Sequence, residues 1–133
     1  MSQENIEVVR RGYEAFMRGD VDGVLSSADP EIEIHPDPVG PLGGKIWRGR
    51  GGILVFLQDW LEPWEEFRLE PSEFIDVGDQ VVLLADQFGR RKDSAFEVKM
   101  AVAHVYTLRG GSIVRMATYI DQTSALEAAG LRE

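Results

Sequence analysis

Two histidines and one aspartate carry the chemistry this sequence can place inside a fold. His104 stands in the alternating set Phe96, Val98, Met100, Val102, His104, Tyr106 and Leu108. Such alternation marks the apolar face of a β-strand, here with one imidazole in its middle. A lone titratable group on a buried face must be hydrogen-bonded, neutral, or open to an internal cavity. The last case would make His104 an acid/base group or hydrogen-bond donor for a bound molecule, and apolar burial favours its neutral form. His35 shares a strand face with Glu33, and Asp86 shares one with Val82, Leu84 and Phe88. A carboxyl held inside a cavity suits general acid work. His104, His35 and Asp86 are therefore the candidate catalytic residues.

A wall for an apolar ligand requires the same side chains as a core. Tyr13, Phe16, Trp47, Trp60, Phe88 and Met100 are read as core residues that can also form such a wall. Tyr106 joins them from the face of His104. Met116 and Thr118 join from the next strand, if the last hairpin has the register argued below.

The elements that must position these residues follow from periodicity and punctuation. Ile6, Val9, Tyr13, Phe16 and Met17 make the stripe of a first helix, which Gly19 ends. Asp20 caps a second, short helix through Val21, Val24, Leu25 and Ala28. Residues 31–35 read as a strand with Ile32 and Ile34 on one face and Glu33 and His35 on the other. The Pro- and Gly-rich stretch 36–46 reads as a loop lying over something. A third helix covers about 51–61 and ends at Pro63. Four strands follow, at 67–77, 81–89, 95–109 and 113–121, the first bent or at an edge because of Pro71. A short helix over 124–129 closes the chain.

Helices followed by hairpins predict an α+β fold, a cone in which a curved antiparallel sheet wraps around the N-terminal helices. The hollow between sheet and helices is the natural ligand site. Both faces of 81–89 are mostly apolar. Helices would cover one face and a second subunit the other, which predicts a homodimer.

The last hairpin admits two registers. A two-residue loop at Gly110–Gly111 would turn Tyr119 and Asp121 toward the face of His104. A three-residue loop, Arg109 to Gly111, would turn Met116, Thr118 and Ile120 there. The second is favoured, since Gly111 suits a left-handed bulge position. Asp121 is then the cap of the last helix.

The chain has 133 residues, of which 44% are apolar, and it is read as one domain over 1–133. A domain of this size buries roughly two-thirds of its unfolded surface. With no cysteine, disulfides, thiolate metal sites and cysteine nucleophiles are excluded. A net charge of −9 argues against a nucleic-acid surface. The basic run Arg90, Arg91, Lys92 is read as a solvated turn. No apolar run reaches membrane-span length and the polar, acidic N-terminus has no signal core, so a cytoplasmic protein is expected. Two histidines from distant strands do not make a metal site, and neither metal nor cofactor is expected.

Several local motifs, taken in order, resemble one superfamily. They are Tyr13-Glu14-Ala15-Phe16 with Gly19-Asp20, Glu31-Ile32-Glu33-Ile34-His35-Pro36, and Trp47-Arg48-Gly49-Arg50. Ala103-His104-Val105-Tyr106-Thr107-Leu108-Arg109 and Ala125-Leu126-Glu127-Ala128-Ala129-Gly130-Leu131 complete the set. The chain is similar to the nuclear transport factor 2-like cone fold, in its SnoaL-like, polyketide-cyclase-like branch. Within that fold the resemblance to ketosteroid isomerases lays His35 on the general base, His104 on the protonated aspartate and Gly12 on the tyrosine. Against limonene-epoxide hydrolases, Thr118 falls on an aspartate and Asp86 near the arginine. Neither catalytic set is intact. The resemblance thus implies a small-molecule pocket but no single activity, since this fold hosts many. The expectation is an acid/base enzyme of isomerase, cyclase, dehydratase or hydrolase type, acting on an apolar carbonyl- or ring-bearing compound. The alternative is a non-catalytic ligand-binding or dimerisation domain.

Overall fold

The computed structural model describes residues 2–40 and 42–131; Pro41 of the predicted loop lies outside them. The chain begins with helix α1 (Ser2–Met17) and helix α2 (Val21–Ser26). The break between them has the anticipated physical cause. Gly19 takes φ 72°, a left-handed conformation that only glycine adopts without cost, and the Asp20 carboxylate accepts from Gly23 N–H to cap α2.

Strand β1 (Ala28–His35) and the two-residue strand β2 (Trp47–Arg48) lead into helix α3 (Gly49–Leu61). Strands β3 (Trp64–Val77), β4 (Gln80–Arg91), β5 (Glu97–Arg109) and β6 (Ser112–Tyr119) form successive hairpins, and helix α4 (Gln122–Ala128) follows. The sheet order is β2-β1-β6-β5-β4-β3. The α+β cone stands, with one difference: β1 pairs β6 in parallel, while the other neighbours are antiparallel. β3 is an edge strand, and its register shifts between Pro71 and Glu73, as a proline without an N–H requires.

Register fixes two faces. On the inner face, Leu83 lies opposite His104, Ala85 opposite Val102 and Gln87 opposite Met100. On the outer face, Asp86 lies opposite Ala101 and Phe88 opposite Lys99. Helices α1 to α3 fill the inner side, where Val9, Ile53, Phe56 and Val81 make the largest core cluster with β1 residues Ile32 and Ile34. Phe96 lies just before β5 and is 79% exposed, so the inner face starts later than alternation predicted.

The outer apolar residues are covered from within the chain. Val82, Ala103 and Val105 pack under Ala125 and Ala129 at α4, with Leu84 alongside. Asp121 caps that helix, its carboxylate accepting from Thr123 N–H at 3.1 Å and from the Ser124 hydroxyl at 2.9 Å. Of the apolar outer set on β4, Val82 and Leu84 have their cover in α4, while Phe88 lies beside Arg68 and Lys99.

The final hairpin departs from prediction in its loop, yet agrees in its facing. Arg109 pairs Ser112 across a two-residue turn in which Gly110 and Gly111 have φ 60° and 83°. Positive φ at both central positions is the turn that matches strand twist. Between Thr107 and Leu108 the register shifts: Leu108 pairs Ile113, but Thr107 pairs Arg115. Val114 is therefore a surplus residue, a β-bulge that restores the facing the three-residue loop predicted. Thr118 lies opposite His104 and Met116 opposite Tyr106.

Candidate functional site

The hollow is divided into two chambers. The inner one, about 80 Å³, lies between α1, α3 and the inner sheet face and is lined chiefly by apolar side chains, among them Val9, Ile32, Ile53 and Leu69. The outer one, about 240 Å³, lies under the 36–46 loop and between the ends of α3, β4 and β6. Phe56, Trp60 and His104 line both and form their common wall.

His104 is 3% exposed, the one polar or charged side chain that is buried among the described residues. Its ring is held edge-on by Trp60, at 5.9 Å between centroids, and by Tyr106, at 6.2 Å. The Nδ1 atom is fully enclosed and has no hydrogen-bond partner. Burial in this apolar setting pushes the imidazole down to about 4, so it is neutral at physiological pH. A neutral imidazole offers one N–H donor and one lone pair. An enclosed ring nitrogen left unpaired is uncommon, because an unmet buried polar group costs about 1–3 kcal/mol.

Tyr106 follows His104 by two residues on the same strand face and lines the inner chamber. Burial pushes its hydroxyl up, so it stays a protonated donor. Tyr13 also lines the inner chamber, but its hydroxyl donates to the Leu69 carbonyl at 2.5 Å. Its pKa is raised by burial first and then by Glu70 and Glu14. Phe16, Trp60 and Met116 complete the anticipated inner set. Met100 and Thr118 lie in the outer chamber.

Four of the anticipated residues are elsewhere. His35 pairs Ala117 on the outer face, and its Nε2 lies 2.9 Å from Glu33 Oε1. Arg48 joins the same carboxylate at 2.5 Å. The pairing to His35 and then Arg48 holds Glu33 below the usual carboxylate range. The same strand alternation that buries Ile32 and Ile34 sends His35 outward. Asp86 is on the outer face by register, level with Glu70 and Ala101. Phe88 is there too, under the Arg68 guanidinium at 4.0 Å and the Lys99 ammonium at 5.6 Å. Trp47 is on the inner side but 6% exposed, packed on Phe56 at 5.4 Å, and lines neither chamber. Its indole is filled core.

Other residues of the outer chamber were not anticipated. Asp37, Asp59, Gln87 and Arg91 line it. The Asp37 carboxylate accepts from Val39 N–H at 3.0 Å and Ile120 N–H at 2.9 Å, while its own N–H donates to Thr118 Oγ1 at 3.2 Å. This ties the 36–46 loop to the end of β6. Gln87 and Arg91 occupy odd positions of β4, which only the β4–β5 register could assign to the inner face. Among the described residues, no group of three His, Asp or Glu side chains is placed to hold a metal ion. No described helix is long and apolar enough to cross a membrane.

A family model described as a SnoaL-like domain matches residues 9–116. The chain belongs to the SnoaL-like domain family. No protein of curated function matches this SnoaL-like chain. Among solved structures, an NTF2-like protein of unknown function from Burkholderia pseudomallei is 28% identical, with TM-score 0.80 over 93% of this chain and 95% of its own. TerC, co-crystallised with polyporic acid, is also 28% identical, with TM-score 0.80 over 96% and 98%. A putative SnoaL-like polyketide cyclase from Jannaschia is 17% identical, with TM-score 0.79 over 99% and 95%, and shows the shared fold alone. The anticipated superfamily and cone are thereby shown, and the SnoaL-like domain is a pocket protein.

Proposed function

We propose that this SnoaL-like domain binds a small ring-bearing molecule in its inner chamber, with a carbonyl or hydroxyl group hydrogen-bonded by His104. The observation that carries this reading is His104 itself, which lines an apolar cavity while its Nδ1 has no hydrogen-bond partner. A bound oxygen would satisfy the imidazole, and the surrounding Phe16, Phe56 and Trp60 rings would take the apolar body. The co-crystallisation of the TerC relative with polyporic acid supports such an occupant.

Binding is favoured over proton abstraction for a physical reason. A general base works best with a pKa near the operating pH, whereas His104 is pushed down to about 4. His35 and Asp86, the other candidates, lie on the outer face. The chemistry left to the inner chamber is electrophilic: a neutral imidazole N–H and the Tyr106 hydroxyl polarising a carbonyl, the role a neutral histidine plays in some isomerases.

Calorimetric titration of 2-naphthol and naphthalene into the native protein and His104→Phe tests the reading. The native protein is expected to prefer 2-naphthol by about tenfold, the scale of one buried hydrogen bond. His104→Phe is expected to lose that preference. Equal affinities for both compounds in the native protein, or a preference kept in His104→Phe, would refute it.

A further inference from the structure

We propose that the outer chamber is a subsite for a carboxylate-bearing tail of the same ligand, with Arg91 as its charge partner and Gln87 as a hydrogen-bond donor on the way. The proposal rests on the binding reading above and extends it to a two-ended molecule, ring inside and anion outside.

Arg90 and Arg91 end β4 and Lys92 follows in the turn; alternation separates the first two. Arg90 pairs Glu66 at 3.5 Å, and Lys92 pairs Glu62 at 2.9 Å. Arg91 alone lines the outer chamber, and it is the one basic side chain lining either chamber among the described residues. Its ion contact is Asp93 at 3.8 Å, with side chains 52% and 85% exposed, a pair worth little in water. A guanidinium is always charged and binds carboxylates through two parallel N–H groups. Gln87, opposite Met100, has a carboxamide that makes no hydrogen bond within the described residues.

The strand between them is shaped for this use. Gly89 is buried, and a Cβ there would stand 2.6 Å from Trp64 Cε3. The absence of a side chain lets the Trp64 indole lie against the backbone as an apolar floor. The Arg91 guanidinium carbon sits 5.8 Å from that ring's centroid. Along β4 the inner face therefore changes from Leu83 and Ala85, beside His104, to Gln87 and then Arg91. The two other acids of this chamber do not occupy Arg91. Asp37 is spent on backbone N–H groups, and Asp59 is exposed at the rim, where water screens it.

Strand geometry sets the length of the tail. At ~3.3 Å per residue, Gln87 lies roughly 13 Å beyond Leu83, and Arg91 further still. A short tail cannot reach the guanidinium.

The test uses 2-naphthol joined through its oxygen to acetic, octanoic and dodecanoic acids, each compared with its primary amide. Native protein and Arg91→Gln are titrated with all six compounds, and with 2-naphthol. The dodecanoic acid is expected to bind the native protein about tenfold tighter than its amide, the scale of a charge-assisted hydrogen bond. The acetic acid is expected to show no such preference. Arg91→Gln is expected to bind 2-naphthol unchanged and to lose the acid preference. An acid preference absent from the native protein, or retained in Arg91→Gln, would overturn the proposal and leave the ring-binding reading intact. Failure of 2-naphthol itself to bind would overturn both.

Discussion

Trp60 stands edge-on to His104, with ring centroids 5.9 Å apart and planes at 63°. The contact presents the positive edge of one ring to the face of another in a fully buried setting, and Nδ1 of the imidazole has no hydrogen-bond partner. Protonation inside this cluster is therefore opposed, which ties the fold to pH. The group has a folded value of about 4 against 6.5 for the free side chain. Between these values the unfolded chain binds more protons than the folded one, so stability falls as pH falls from 6.5 to about 4. At ~1.4 kcal/mol per pH unit, the full loss is about 3 kcal/mol. Urea unfolding at intervals from neutral to acid pH should show this slope in the native protein. His104→Phe should flatten it, because the carboxylates common to both chains cancel in the difference. Parallel slopes would mean that His104 does not carry the effect.

The Gly89–Trp64 contact makes a separate prediction. Gly89→Ala would place a methyl group within 2.6 Å of the indole, so the ring must move. Overpacking of this kind costs about 1–3 kcal/mol. The chemical-denaturation midpoint should fall, and tryptophan emission should shift as Trp64 leaves the floor of the outer chamber. An unchanged emission maximum would show that the indole does not depend on this glycine.

Asp37 should behave as a latch residue for the 36–46 loop. Asp37→Ala removes acceptors from Val39 N–H and Ile120 N–H. A loss of about 1–2 kcal/mol is expected at this scale of hydrogen bonding. Amide exchange at Ile120 should accelerate selectively, while exchange in the buried β4–β5 pairing should remain slow. Acceleration spread evenly over the sheet would contradict a local tie.

The fold was legible in the sequence because alternation and punctuation act locally. Gly19 and Asp20 ended one helix and opened the next where expected, and Pro71 marked a bend in an edge strand. His104 was legible as an inward residue for the same reason. Asp86 and Phe88 were not, because both faces of β4 are apolar and only pairing with β5 tells them apart. His35 was assigned inward on family likeness, though its own strand alternation with Ile34 sends it out. Arg91 stayed hidden inside a run of like charges, since sequence does not say which of three neighbours turns inward. Trp47 could not be separated from Trp60, because filled core and cavity wall use the same residue types.

Val114 gives one extra position a disproportionate role. It contributes no side chain to either chamber, yet it decides which half of β6 the imidazole meets. A chain of this shape that kept the two-glycine reversal but paired Val114 with Thr107, without the bulge, would turn Ala117, Tyr119 and Asp121 toward the ring and carry Thr118 outside. The chemical character of the hollow would then change from hydroxyl to carboxylate with no substitution at all, through one change of pairing several residues away.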